Sequence, residues 1–282
     1  MKLRTQIDIK KSDNPLGLDR RIISLGSCFS QAIGNRLRSG GVEIEVTQMG
    51  ILFNPMSIAN IINRALSGKE YSANDLYCDS NGIFHALDFE SRRQDKDAEN
   101  LLKSLNDDFR QFENSLHKAD CWLITFGTSW CFRHLSSNRI VGNCHKLQDS
   151  EFERQLCSVR DIVDLWAPLA DKAKRIIFTV SPVRHLNNGL HGNTLSKARL
   201  HLAIEEITAK FDNVEYFPAF EALNDDLRDY RFYADDLKHP TSLAEDYIFD
   251  LFTETYFSEE NRNRIEQNRR ESRRLQHRPI ML

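Results

Sequence analysis

The chain lacks any long apolar run. No stretch of its 282 residues is continuous and apolar enough to span a bilayer. Its first residues, Met1-Lys2-Leu3-Arg4-Thr5-Gln6-Ile7-Asp8, lack the apolar core of a signal peptide. The expected compartment is therefore the cytoplasm, and no membrane partner is expected. Charge of one sign is also missing. A formal net charge of -3 gives no global field directed at nucleic acid or an anionic surface, so neither is an expected partner. The 6 cysteines include no C-x-x-C pair. Cys121, Cys131, Cys144 and His145 fall in one region but have no second half-site, so they read as buried reduced thiols and no metal is expected. There is no internal repeat, low-complexity segment or linker. What remains, 40% apolar and 28% charged residues, is the composition of a soluble globular protein with a sizeable core.

Strand patterns recur with helical segments between them. Ile22-Ile23-Ser24-Leu25 is short, apolar and β-branched, and reads as a buried strand. Helical spacing follows from Ser30 to Leu37. Val42 to Val46 alternates like a half-buried strand. Gly50 to Pro55 forms a loop before a helix over 56–65. Residues 71–95 are irregular, with short strands around 83–87. The pattern then predicts a helix over 97–116, a buried strand Cys121 to Phe126, an amphipathic helix over 152–170 and a buried strand Arg175 to Val180. A helix over 195–210, a short strand 214–217 and a final helix from about Ser242 complete the series. Alternating strands and helices predict an α/β fold, three layers deep, with a mostly parallel central sheet. Residues 1–258 read as one domain and 259–282 as a charged helical tail. The tail carries Arg262, Arg264, Arg269, Arg270, Arg273, Arg274 and Arg278, either a solvated helix or a surface for an acidic partner.

Two segments carry chemistry. Gly26-Ser27-Cys28-Phe29 sits where the first strand hands over to a helix, the usual edge of a binding crevice in an open α/β sheet. Ser27 is either a helix N-cap or a nucleophile supported by the helix N-terminus. Asp235-Asp236-Leu237-Lys238-His239-Pro240 precedes the last helix, and the three-residue spacing lets Asp236 and His239 address one site. A serine needs a base to take its proton, and a carboxylate fixes the tautomer of that base. Ser27, His239 and Asp236 supply the three roles. The alternative is a capping aspartate beside an exposed histidine. Arg184 and His185 follow the strand 175–180 at its carboxyl end and are candidates for substrate contact or for loop packing. Asn193 and Ser196 read as caps of the next helix. Trp122, Trp130 and Phe126 read as core, with Trp130 also placed to stack on a sugar. Cys144-His145 invites a cysteine-nucleophile reading, but neighbours on a strand point to opposite faces.

The ordered set of motifs resembles the GSCFA family, within the SGNH (GDSL-like) hydrolase superfamily. It comprises Leu25-Gly26-Ser27-Cys28-Phe29, the segment Gly50 to Ile58, Thr125-Phe126-Gly127-Thr128-Ser129-Trp130, Asn143-Cys144-His145-Lys146, the segment Thr179 to His185, and the segment Tyr230 to Pro240. The family's name motif ends in Ala where this chain has Ser30. The resemblance implies a flavodoxin-like α/β/α fold with Ser27 as nucleophile, His239 as base and Asp236 as its orienting acid. It also implies Gly50 as a backbone donor to the oxyanion. The superfamily's third block, Gly-x-Asn-Asp, supplies a second donor, but here it reads Gly127-Thr128-Ser129-Trp130. Asn143 is the candidate replacement, either as donor or simply as a turn residue after Gly142; Thr128 and Ser129 are weaker ones. The implied activity is serine-dependent hydrolysis of an acyl ester on a small molecule or a glycan, the superfamily's substrates including carbohydrate O-acetyl esters, with no cofactor. An O-acyltransferase on the same triad, or a non-catalytic binding protein on a hydrolase-like scaffold, are the alternatives.

Overall fold

The computed structural model describes residues 4–46 and 49–276. The first strand, β1 (Ile22–Gly26), leads into helix α1 (Cys28–Ser39), then β2 (Ile44–Val46) and α2 (Pro55–Leu66). A small antiparallel sheet of β3 (Tyr77–Cys78), β4 (Phe84–His85) and β5 (Gln94–Asp95) precedes α3 (Ala98–Lys118) and β6 (Cys121–Phe126). A second antiparallel sheet follows, of β7 (Trp130–His134), β8 (Arg139–Val141) and β9 (Phe152–Leu156). The chain continues through α4 (Val159–Lys172), β10 (Ile176–Val180), α5 (Gly189–Thr208), β11 (Val214–Tyr216) and a helical turn α6 (Ala219–Glu221). It ends with α7 (Ser242–Tyr256) and α8 (Glu259–Gln276).

The central sheet has five strands, all parallel, in the order β11-β10-β6-β1-β2. The chain steps from β1 outward to β2, then returns to lay β6 on the other side of β1. The order thus reverses between β1 and β6, and ligand crevices form outside the carboxyl ends of strands at such a switch point. Ser27 leaves the sheet there after β1, and Gly127 leaves it after β6.

The three inner strands, β1, β6 and β10, are buried along their whole length, which is why they read as mostly apolar runs, while the edge strands β2 and β11 are partly exposed. Successive side chains divide between two cores. Ile23, Leu25, Trp122, Ile124, Phe126, Ile176 and Phe178 pack on one face against α2, α3, α4 and α5. Ile22, Cys121, Leu123 and Ile177 pack on the other against α1, α7 and α8. Full burial of such a side chain stabilises by roughly 2 kcal/mol. Among the described residues no helix is long and apolar enough to cross a membrane.

Several sequence expectations are corrected. Residues 152–156 form strand β9, not the start of a helix. Their backbone pairs antiparallel with β7 along all five residues, and the helix begins only where Ser158 and Asp161 close a capping box. The helix expected from Ser242 onward is two helices. Phe257 between them is extended and bridges to Leu16, which ends α7. Helix α5 begins at Gly189, so Asn193 and Ser196 lie inside it and cap nothing. Cys144-His145 is not on a strand; His145 and Lys146 turn through the left-handed region, with φ of 51° and 59°. The charged tail is docked rather than free. Ile265 is buried, Asn268 Nδ2 donates to Gly40 O at 2.9 Å, and Arg269 reaches Asp246 at 2.8 Å, the carboxylate that also pairs with Arg36. Arg278 lies outside the described residues. Of the cysteines, Cys121, Cys131 and Cys157 are buried free thiols, Cys28 and Cys144 are half-buried, and Cys78 is exposed.

Candidate active site

Ser27 holds the N-cap position of α1 without acting as a cap. Helices α2, α3, α4 and α7 are capped by the side chains of Asn54, Asp97, Ser158 and Thr241. At α1 the Ser27 side chain makes no such bond. Its hydroxyl is buried and has no hydrogen-bond partner at all. A buried hydroxyl normally finds a partner, so one left alone calls for an explanation. The next hydroxyl along, Ser30, which stands where the motif ends in Ala, is buried and bonded to Ser24 Oγ at 2.7 Å.

The backbone around Ser27 is tightly fixed. Gly26 has φ of 135°, and a Cβ there would lie 2.1 Å from Thr125 O, so only glycine fits between β1 and β6. Leu52 N donates to Gly26 O at 2.9 Å, pinning the loop that carries Gly50. Gly127 N and Thr128 N both donate to Phe53 O, at 2.8 and 3.0 Å. A Cβ on Gly127 would stand 3.3 Å from the Ser27 Cβ, so β6 passes directly beside the serine. Gly50 itself lies against the Glu90 side chain.

His239 Nδ1 and Asp236 Oδ2 are 2.6 Å apart. Asp236 Oδ1 accepts from the backbone N–H of His239 at 3.0 Å and of Lys238 at 2.9 Å. These bonds, with the His239 ring, hold the Asp236 carboxyl well below the usual carboxylate range. An ionised Asp236 accepts only, so His239 Nδ1 carries its proton and Nε2 is left as the basic nitrogen. The side chains are 50% and 45% exposed. Asp236 and His239 are bonded to each other, but His239 makes no hydrogen bond to Ser27. The loop bearing the pair is tied to the carboxyl end of β10, since Arg184 N donates to Lys238 O at 3.1 Å.

The remaining sequence candidates divide. Thr128 and Ser129 are buried and used up. Thr128 Oγ1 bonds Ser196 Oγ at 2.9 Å, and Ser129 Oγ donates to Ser196 O at 3.1 Å. Asn143 sits in a turn, its Oδ1 accepting from His145 N at 2.8 Å; Nδ2 is the end of the amide not used there. The preceding Gly142 abuts the Leu52 side chain, one hydrogen bond from Gly26. The Arg184 guanidinium stacks over Tyr233 at 4.1 Å and Tyr230 at 5.2 Å. His185 Nδ1 is buried without a partner, while its backbone N–H donates to Asn193 Oδ1 at 2.9 Å. Burial lowers its pKa, and the charges of Arg154 and Lys197 lower it further.

Two residues were not singled out from sequence. Lys197 is 3% exposed and donates to Gly127 O and Ser181 O, both at 2.6 Å. Arg154 lies over Trp130 at 4.8 Å. Neither has a local sequence signal: Lys197 is a cation inside a helical pattern, and Arg154 falls in the stretch read as helix.

Cys144 and His145 do not form a nucleophile pair. Burial pushes the Cys144 thiol up to about 11. The His145 ring is occupied, with Nε2 3.1 Å from Phe89 O and Nδ1 3.4 Å from His85 Nδ1. Burial depresses His145 to about 4. It is thus neutral in the folded chain, whereas an unfolded histidine titrates near 6.5. The stability it contributes is complete above pH 6.5 and is lost as pH falls toward 4. Between pH 6.5 and 5 this amounts to about 2 kcal/mol. His145→Gln, whose amide still donates to Phe89 O, should flatten the acid limb of Tm against pH by that much. An unchanged limb would show that His145 does not control it.

No curated protein matches the chain. The sequence model of the GSCFA family matches residues 21–252, a span that includes every strand of the central sheet as well as Ser27, Asp236 and His239. With that span covering most of its length, the chain belongs to the GSCFA family.

Proposed function

We propose that the chain is a serine-dependent acyl-ester hydrolase built on an SGNH-type three-layer α/β/α frame. The observation that carries this reading is the Ser27 hydroxyl, buried at the switch point of the sheet with no partner although it sits where a serine would cap a helix. His239 Nε2 takes the Ser27 proton as Oγ attacks the ester carbonyl. The Asp236 carboxylate holds the ring tautomer and stabilises the imidazolium that forms. Backbone N–H groups at Gly50 and at the start of α1, with Asn143 Nδ2, receive the oxyanion. His239 returns the proton to the departing alcohol, and water then releases the acid from Ser27. If a second alcohol replaces that water, the same residues perform acyl transfer. Ser27 and His239 are not hydrogen-bonded here, and catalytic bonds of this kind often tighten only when substrate is bound.

A fluorophosphonate probe tests the reading. Its phosphorus should be found on Ser27, and aryl acetates should turn over at pH 7 to 9. No adduct together with no turnover would overturn hydrolysis and acyl transfer alike. It would leave the binding-protein reading, which the open Ser27–His239 gap favours. Asn143→Ala should reduce turnover about a hundredfold, the usual cost of one oxyanion donor; a rate within a few-fold of the parent removes Asn143 from that role.

A further inference from the structure

Among the buried nitrogens without a hydrogen-bond partner are Trp130 Nε1, Arg154 Nε and His185 Nδ1. They come from three elements, the start of β7, the middle of β9 and the loop after β10. They are nevertheless neighbours. The Arg154 guanidinium lies over the Trp130 ring and hydrogen-bonds Asn188 Oδ1, three residues beyond His185. The Arg154 charge also acts on the His185 ring. Two cations here lack a counter-charge: among the described residues neither Arg154 nor the buried Lys197 is paired with a carboxylate. The charges of Arg154, Lys197 and Lys238 that act on His185 are all positive, and Lys197 also bonds Gly127 O, beside Ser27. Arg154 as a residue is only half-buried, but its Nε is inaccessible, and buried donors left without a partner are costly.

We propose that Arg154, Trp130 and His185 form an oxyanion-binding subsite adjoining Ser27, and that the substrate is an ester carrying a carboxylate or phosphate group. This rests on the ester-hydrolase reading for the word ester, while the binding of the anion stands independently of it. The planar guanidinium of Arg154 offers two parallel N–H donors to such a group, and the indole N–H of Trp130 a third. His185 donates once its Nδ1 carries the proton. The guanidinium lies over the Trp130 ring, so an anion that draws it off that face alters the indole environment.

The full chain is titrated with inorganic phosphate and, separately, with glucuronate, following tryptophan fluorescence. A saturable change is expected with at least one of them, and the one that binds identifies the source of the anion. Arg154→Met should weaken that binding about tenfold or more, and Arg154→Lys should restore part of it. His185→Gln provides a second variant if Arg154→Met fails to fold. In parallel, kcat/KM is compared for 4-nitrophenyl acetate and the mono-4-nitrophenyl ester of succinate, and the preference for the anionic ester should fall in Arg154→Met. Flat titrations with both anions, or variants that titrate like the parent, would overturn the subsite even if the neutral ester turns over. Saturable, Arg154-dependent binding without turnover of either ester would uphold the subsite and sink the hydrolase reading instead.

Discussion

Ser27→Ala should bring turnover of aryl acetates close to the uncatalysed background, a loss on the order of a thousandfold to a millionfold, and should abolish fluorophosphonate labelling. His239→Ala should cost nearly as much. The informative result is the double variant. Nucleophile and base act as a unit: once the serine has no partner to take its proton, removing the serine costs little more. Ser27→Ala/His239→Ala should therefore be no slower than the worse single variant. Additive losses would mean that the two residues work at separate sites, and unchanged labelling in His239→Ala would exclude it as the base. Asp236→Asn should fall between the parent and His239→Ala. The Asn side chain can still hold the two backbone N–H groups that Asp236 Oδ1 now accepts. It no longer fixes the His239 tautomer or balances the imidazolium.

The buried frame is legible in the sequence because its signals are local. Ile22 to Leu25, Cys121 to Phe126 and Ile176 to Val180 are apolar runs broken by a single Ser or Thr each, the pattern of strands covered on both faces, and all three are central strands. The Asp236–His239 pair is legible for a similar reason, since three residues in one tight loop suffice to close it. What was not legible depends on partners far away in the chain. Strand β9 is defined by its pairing with β7, and read alone Phe152 to Leu156 continues the helical pattern of α4. Asn193 and Ser196 look like caps until the true start of α5 at Gly189 places them inside the helix, where they hold the His185 backbone and the Thr128-Ser129 hydroxyls. The largest omission is electrostatic. Nothing in a single sequence marks Lys197 as a lysine whose charge is carried into the core.

Lys197 is also where the largest stability effect is expected. Its ammonium sits under the carboxyl ends of β6 and β10, joining Gly127 O to Ser181 O, with the Phe220 ring 5.9 Å away. Burial lowers its pKa to about 7 from the ordinary 10.5. Between those two values the unfolded chain binds a proton that the folded chain does not, so this residue makes stability rise with pH above 7. Below pH 7 the amine is charged in both states and the cost of burying it is borne in full. A neutral amine has two N–H groups, and the structure gives it two carbonyls. Lys197→Met removes both donors and leaves both acceptors buried, which costs about 3 kcal/mol where the parent amine is neutral, near pH 9. Near pH 6 the variant gains from burying no charge, so the difference should shrink by about 3 kcal/mol and nearly vanish. Chemical denaturation of parent and variant at pH 6 and pH 9 checks this directly. A difference that does not change with pH would show that Lys197 keeps one charge state throughout. Because Gly127 stands against Ser27, a displaced Gly127 carbonyl should also disturb the serine, and Lys197→Met should lose turnover more than substrate affinity.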